Sequence, residues 1–135
     1  IGVKEASCVI EQCMEIAYHK PDDFLLISGD DVQAVPIISI GGVGVMSVIA
    51  NAFPAQFTEM IHAALAGDFK KAQKSLGAFL TIDPFLYEEG NPVGVKKILE
   101  NMGLMSSQVR MPLASASNEL GEKLAAICQQ EQLNN

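Results

Sequence analysis

The first half of the chain alternates short apolar runs with segments of helical periodicity. Ile1–Lys4 and Phe24–Ser28 are short runs rich in branched and aliphatic residues, as strands are. The run at Phe24–Ser28 has no polar alternation, so we expect a strand covered on both faces. Between the two runs, residues 6–19 repeat apolar positions three or four apart, which predicts a helix. The remaining elements of this half are a turn at 20–23, a helix at 32–40 and a strand within 41–48.

The pattern repeats about every 20 residues, as βα units do. We therefore expect parallel strands joined by right-handed helical crossovers. From Pro54 onward only helical periodicity follows, with four helices predicted. Asp68, Asn91 and Ser117 are of the residue types that cap helices, and each precedes a predicted helix. Asn91 is followed by a proline, which suits the first helical position.

Three parallel strands covered on both faces would leave two sheet edges with unpaired backbone groups. A (β/α)₈ barrel avoids such edges but needs eight units. We therefore predict an α/β fold in which residues 1–66 are the last three βα units of a TIM barrel. Residues 67–135 are predicted to form a C-terminal helical extension. Because the chain opens on Ile1, without an initiator methionine, we expect it to be an excerpt of a longer protein.

Composition narrows the class of protein. The chain has 135 residues, of which 49% are hydrophobic, enough for one domain with a buried core. A net charge of −7 argues against a nucleic-acid partner. No apolar run approaches the roughly 18 residues that span a bilayer, and no signal-peptide pattern is present. Three cysteines without a CxxC pair suggest reduced thiols in a cytoplasmic protein. The isolated His19 and His62 indicate no metal site, and nothing points to a cofactor.

Lys4 is the residue with the clearest potential for chemistry. It stands at the end of the first predicted strand, and the carboxyl ends of barrel strands carry the active site. Burial of a lysine disfavours its charged form and lowers its pKa. A neutral amine attacks carbonyl carbon and forms a Schiff base. An ion pair between Lys4 and Glu5 or Asp30 is the alternative that the residues alone leave open.

Three glycines, Gly41, Gly42 and Gly44, lie near the start of the third strand. Glycine permits positive φ angles and a close approach of the backbone to a ligand. Direct ligand contact and a tight loop before the strand are therefore both open interpretations.

Four segments in this order resemble the C-terminal half of the dihydrodipicolinate synthase family, within the pyruvate-dependent class I aldolases and lyases. They are IGVKEAS (1–7), LISGDD (26–31), GGVGVMSVIAN (41–51) and LYEEGNPVGVKKILENMGL (86–104). The resemblance implies that Lys4 forms a Schiff base with pyruvate. It implies that the backbone at Met46 lines the pyruvate pocket and that Gly29, Asp30 and Asn91 lie near the second substrate, aspartate semialdehyde. It also implies a homotetramer that acts in lysine and diaminopimelate biosynthesis.

The chain departs from the family pattern in two ways. Gly90 and Gly94 replace prolines that many relatives carry, which should loosen the loop before the helix that follows Asn91. The family's tyrosine-threonine-tyrosine proton relay and its substrate-binding arginine belong to the other half of the barrel, so we expect this chain alone to be inactive. The alternatives are an N-acetylneuraminate lyase, a keto-deoxy-sugar-acid aldolase, or a non-catalytic interaction module. A module has no need of a lysine that reacts with pyruvate.

Overall fold

The computed structural model describes residues 1–133. This range contains three strands, six α-helices and a short 3₁₀ turn at Ile49–Asn51. In chain order they are β1 (Gly2–Glu5), α1 (Ile10–His19), β2 (Leu25–Ser28), α2 (Ala34–Ser39), β3 (Gly44–Val45), α3 (Pro54–Leu65), α4 (Phe69–Tyr87), α5 (Val93–Asn101) and α6 (Asn118–Gln130).

The chain divides into two compact units. The first contains Ile1–Ser47 and Gln56–Leu76, and the second contains Val48–Ala55 and Gly77–Asn135. The first unit holds the whole β-sheet, and the second holds α5 and α6. The alternation of strands and helices predicted for the first half is therefore confirmed.

The sheet of the first unit is parallel throughout, in the order β1-β2-β3. Its core joins β2 to the two helices that follow β1 and β2 along the chain: Leu26, Cys13 of α1 and Ile37 of α2 are all buried and packed together. Side chains alternate between the faces of a strand, and the neighbouring Leu25 is 44% exposed. Within the described residues the core cluster therefore covers one face of β2, and the covering of its other face stays a prediction.

The third strand is shorter than predicted. It comprises only Gly44–Val45, although backbone bonds to β2 continue on both sides, from Val43 N–H to Leu26 and from Met46 N–H to Ser28. Gly41 has a φ of +105° and Gly42 donates to the carbonyl of Ile37, so together they end α2. For these two glycines the tight-loop interpretation is correct.

In the second unit α5 packs against α6. Ser117 caps α6 as predicted, since its hydroxyl accepts from the Leu120 N–H at 3.1 Å. The carboxylate of Glu89 in turn accepts from the Ser117 hydroxyl at 2.5 Å and from its N–H at 2.9 Å. Glu89 and Ser117 thus join the segment that follows α4 to the start of α6.

The predicted cap at Asn91 is wrong. Pro92 occupies the N-cap position of α5, which has no side-chain cap, and the Val93 N–H donates to the carbonyl of Gly90. Gly94 does not loosen a loop either, because it lies inside α5 and is buried. A Cβ at this position would come within 2.6 Å of the Leu86 backbone, so the absence of a side chain permits close helix packing.

Candidate active site

Four of the five predicted site residues lie at the end of the sheet where the strands have their carboxyl ends. Lys4 pairs with Ile27 in the register of β1 and β2, so both strands reach their carboxyl ends together. Gly29 and Asp30 follow β2 directly, and Met46 follows β3 with its N–H bonded to the Ser28 carbonyl at 2.9 Å. Parallel pairing thus brings three segments, distant in sequence, to the same edge.

Gly29 lies directly against the side chain of Lys4. A Cβ at this position would be 2.9 Å from Lys4 Cε, 2.9 Å from the Glu5 carbonyl oxygen and 2.5 Å from Ala6 Cβ. Real Cβ atoms essentially never approach carbon that closely. Glycine at this position therefore leaves the space that the Lys4 side chain occupies.

Lys4 itself is exposed in this structure. Among the described residues β1 pairs only with β2, and the expected burial, which depends on the rest of the barrel, stays a prediction. The alternative of an ion pair is wrong, since no carboxylate within residues 1–133 forms a salt bridge with Lys4. The amine is thus left available at the sheet edge.

The carboxylate of Asp30 has two local partners. Its Oδ1 accepts from the Gln33 N–H at 2.8 Å, and its Oδ2 accepts from the Cys8 thiol at 3.2 Å. Gln33 is the N-cap residue of α2, so Asp30 closes the turn that leads into the helix. Cys8 is exposed and has a φ of +61°, a conformation that residues with a side chain rarely adopt. The turn after Lys4 and the turn after β2 are thereby joined.

Glu5, which the sequence suggested only as an ion-pair partner for Lys4, has a different role in this region. It is only 6% exposed, and its carboxylate accepts hydrogen bonds from the Ser7 N–H at 2.9 Å, the Gln12 side-chain amide at 2.9 Å and the Cys13 thiol at 3.0 Å. Burial acts to raise the pKa of the Glu5 carboxyl, but the hydrogen bonds outweigh burial and hold the pKa below its ordinary value. The carboxylate is therefore charged at neutral pH.

Asn91 belongs to the second unit, where it is exposed and forms a cis peptide bond with Pro92. Its place near the second substrate stays a prediction. Within residues 1–133 no group of three or more histidine, cysteine or acidic side chains is arranged to hold a metal ion. In the same range no helix combines the length and the apolar character needed to cross a membrane.

The relative reactivity of the three thiols tests this geometry. Burial and the neighbouring Glu5 carboxylate raise the pKa of Cys13 to about 11, and burial raises that of Cys128 to about 11. At pH 8 each is therefore only about one part in a thousand thiolate. We expect Ellman's reagent to label Cys8 first in the folded protein, with Cys13 reacting only after unfolding. Labelling of Cys13 ahead of Cys8, located by mass spectrometry, would contradict this arrangement, and Cys8→Ser is the control.

Parallel βα units with a lysine at the carboxyl end of a strand, followed by a helical unit, are the arrangement expected of the C-terminal part of a (β/α)₈ barrel with a helical extension. The chain belongs to the dihydrodipicolinate synthetase family, whose model matches residues 1–131. It is 53% identical over 123 residues to a 4-hydroxy-tetrahydrodipicolinate synthase of Cytophaga hutchinsonii, covering 91% of this chain and 41% of that protein. The chain thus spans less than half the length of this relative.

Solved structures agree with the fold. One is the chloride-inhibited dihydrodipicolinate synthase of Acinetobacter baumannii in complex with pyruvate, at 26% identity and a TM-score of 0.93, covering 98% of this chain and 46% of that one. Another is a monomeric dihydrodipicolinate synthase variant, at 29% identity and a TM-score of 0.92, covering 98% and 45%. The predicted fold class is thereby confirmed.

Proposed function

We propose that this chain carries the Schiff-base lysine of a 4-hydroxy-tetrahydrodipicolinate synthase. The activity is proposed for a protein as long as the relatives, of which this chain is one part. The observation that carries the proposal is the position of Lys4. Its side chain lies at the carboxyl end of β1, in the space that Gly29 leaves, and Asp30 and Met46 follow the carboxyl ends of β2 and β3 in the same sheet. The names of the relatives support the reaction, and one solved relative holds pyruvate.

The chemistry begins at the Lys4 Nζ. In its neutral form the amine attacks the ketone carbon of pyruvate, and loss of water leaves a protonated imine. This imine withdraws electrons, so a proton leaves the pyruvate methyl group and an enamine forms. The enamine carbon then attacks the aldehyde carbon of aspartate semialdehyde. Finally the amino group of that substrate displaces Lys4 by transimination, which closes the ring and restores the free lysine.

The other predicted site residues have roles within this scheme. By the family resemblance the backbone at Met46 would line the pyruvate side, and Gly29 and Asp30 would lie toward aspartate semialdehyde. The same role is proposed for Asn91 of the second unit. The proton-relay and carboxylate-binding side chains implied by the family resemblance are not among these 135 residues. Their absence would cost acid–base steps about 10²- to 10⁴-fold, so we propose that the isolated chain is inactive. No metal or cofactor takes part in the proposed steps.

The wider setting is part of the same proposal. The reaction would serve lysine and diaminopimelate biosynthesis in the cytoplasm, with the protein assembled as a homotetramer. One solved relative is a monomeric variant, so the tetramer needs its own measurement. We use "the protein at relative length" for a protein that contains this chain and is as long as the relatives. Its sedimentation would give the number of subunits directly.

Trapping with borohydride tests the function. The protein at relative length is incubated with pyruvate and borohydride, and its intact mass and peptides are measured. We expect one reduced pyruvate adduct, located on Lys4. An adduct at another residue, or none on the folded protein, would overturn the assignment and favour a non-catalytic module. If the adduct forms but aspartate semialdehyde is not consumed, the assay is repeated with N-acetylneuraminate and keto-deoxy sugar acids, the substrates of the alternative aldolases.

A further inference from the structure

The side chain that follows the reactive lysine is a buried carboxylate. Because side chains alternate along a strand, Lys4 and Glu5 point to opposite faces of β1. Lys4 is exposed, whereas Glu5 is 6% exposed. A carboxylate in such a place is costly unless hydrogen bonds replace its water. Its partners therefore indicate what it does there.

The three donors to Glu5 come from different parts of the segment that leaves the site. Oε1 accepts from the Ser7 N–H in the turn and from the Gln12 amide in the first turn of α1. Oε2 accepts from the Cys13 thiol one position further along the helix. One carboxylate thus joins the end of β1 to both the following turn and the helix. Hydrogen bonds to a charged acceptor are about twice as strong as those between neutral groups.

The main chain of Glu5 is held as well. Its carbonyl oxygen accepts from the Gly29 N–H at 2.6 Å. Gly29 is also the residue that lies against Lys4 Cε. The residue after Lys4 is thus anchored to α1 by its side chain and to the end of β2 by its backbone. A shift of Glu5 would move the Lys4 backbone and the wall against which the lysine side chain lies.

Cys13 is suited to remain a donor. It is 0% exposed, and both burial and the neighbouring carboxylate raise its pKa to about 11. The thiol therefore keeps its proton wherever the enzyme would work, and the Glu5 carboxylate keeps its charge. Valine, which has a similar volume, would leave Oε2 without this donor.

We propose that Glu5 is a positioning residue for Lys4, and that the Cys13 thiol is one of the donors that hold it in place. This inference rests on the proposed function for its kinetic consequence, because Lys4 must react with pyruvate for its position to matter. Its structural part stands on the hydrogen bonds alone.

The test uses the protein at relative length in four variants: Glu5→Gln, Cys13→Val, Cys13→Ser and the control Glu15→Gln. Glu15 is an exposed carboxylate on the same helix. Imine formation is followed by borohydride trapping at several pyruvate concentrations. Glu5→Gln and Cys13→Val should slow the saturated rate about 10- to 100-fold, the cost of moving a reacting group by up to 1 Å. The pyruvate concentration at half-saturation should stay near that of the parent.

Cys13→Ser distinguishes a role in positioning Lys4 from a role in packing alone. Its hydroxyl can donate to Glu5, so it should restore most of the rate that Cys13→Val loses. Equal rates in these two variants, or a parental rate in a folded Glu5→Gln, would overturn the proposal. Should Glu5→Gln fail to fold, the comparison of the two Cys13 variants decides.

Amide hydrogen exchange at Gly29 separates this inference from the proposed function. The Gly29 N–H is bound to the Glu5 carbonyl, so Glu5→Gln should speed its exchange and Glu15→Gln should not. Faster exchange in a protein whose parent forms no pyruvate adduct would refute the proposed function and keep the anchoring. Unchanged exchange with a normal parental adduct would refute the anchoring alone.

Discussion

Replacing Lys4 with alanine in the protein at relative length should abolish the reduced pyruvate adduct and lower turnover by on the order of 10⁴-fold or more. Losses of this size follow when a covalent nucleophile is removed, since no other group forms the intermediate. Trapping by mass spectrometry measures the adduct. Thermal unfolding of the variant shows whether a loss of turnover comes from the missing amine or from a loss of the fold.

Two further variants sharpen this result. Lys4→Arg keeps a positive charge but offers a guanidinium that does not lose its proton, so it should be as inactive as the alanine variant. Lys70→Ala removes an exposed lysine from α4 and should react as the parent does. Residual turnover near the parental level in Lys4→Ala would show that another residue carries the covalent chemistry.

Gly29→Ala should have the second-largest effect. The new Cβ would meet Ala6 Cβ at 2.5 Å and Lys4 Cε at 2.9 Å, and the Ala6 side chain has no flexible end that could move away. We expect the free energy of unfolding to fall by about 1–3 kcal/mol, as overpacking costs. Displacement of the lysine should slow imine formation by about 100-fold. Urea unfolding and borohydride trapping measure these two quantities.

Gly77→Ala is the matched control for this substitution. A Cβ at Gly77 would meet nothing within 4 Å, and the residue lies inside α4. Alanine there should raise stability by roughly 0.5–1 kcal/mol because it restricts the unfolded chain and favours the helix. If Gly29→Ala were as stable and as reactive as Gly77→Ala, the close contact between Gly29 and Lys4 would be wrong.

Local signals were enough to predict the order of the strands and helices. Caps at Asp68 and Ser117 act within one turn, and both form the expected bonds, from Lys71 N–H at 3.0 Å and Leu120 N–H at 3.1 Å. Lys4 was placed at the carboxyl end of a strand by the apolar run that precedes it, whereas Gly29 and Met46 were selected through the family resemblance. None of these inferences required knowledge of tertiary packing.

Burial and pairing could not be predicted in the same way, because they depend on residues distant along the chain. Glu5 was considered only as a partner for Lys4, although alternation places the two on opposite faces. Gln12 and Cys13 are the polar residues seven and eight positions later, where α1 returns past the end of β1. This spacing could have predicted that the Glu5 carboxylate is held by side chains of α1. The role of Gly94 was hidden for a similar reason, since the close approach of Leu86 appears only in the folded unit.

The register of the sheet also has a consequence for how the site forms. Every pair between β1 and β2, from Gly2 with Leu25 to Glu5 with Ser28, joins residues 23 positions apart. Such pairs cannot grow outward from a hairpin turn, and the intervening loop must close before any of them contributes free energy. Because Gly29 reaches Lys4 only through this pairing, the surroundings of the lysine should arise in a single late step of refolding, after the local helices have formed.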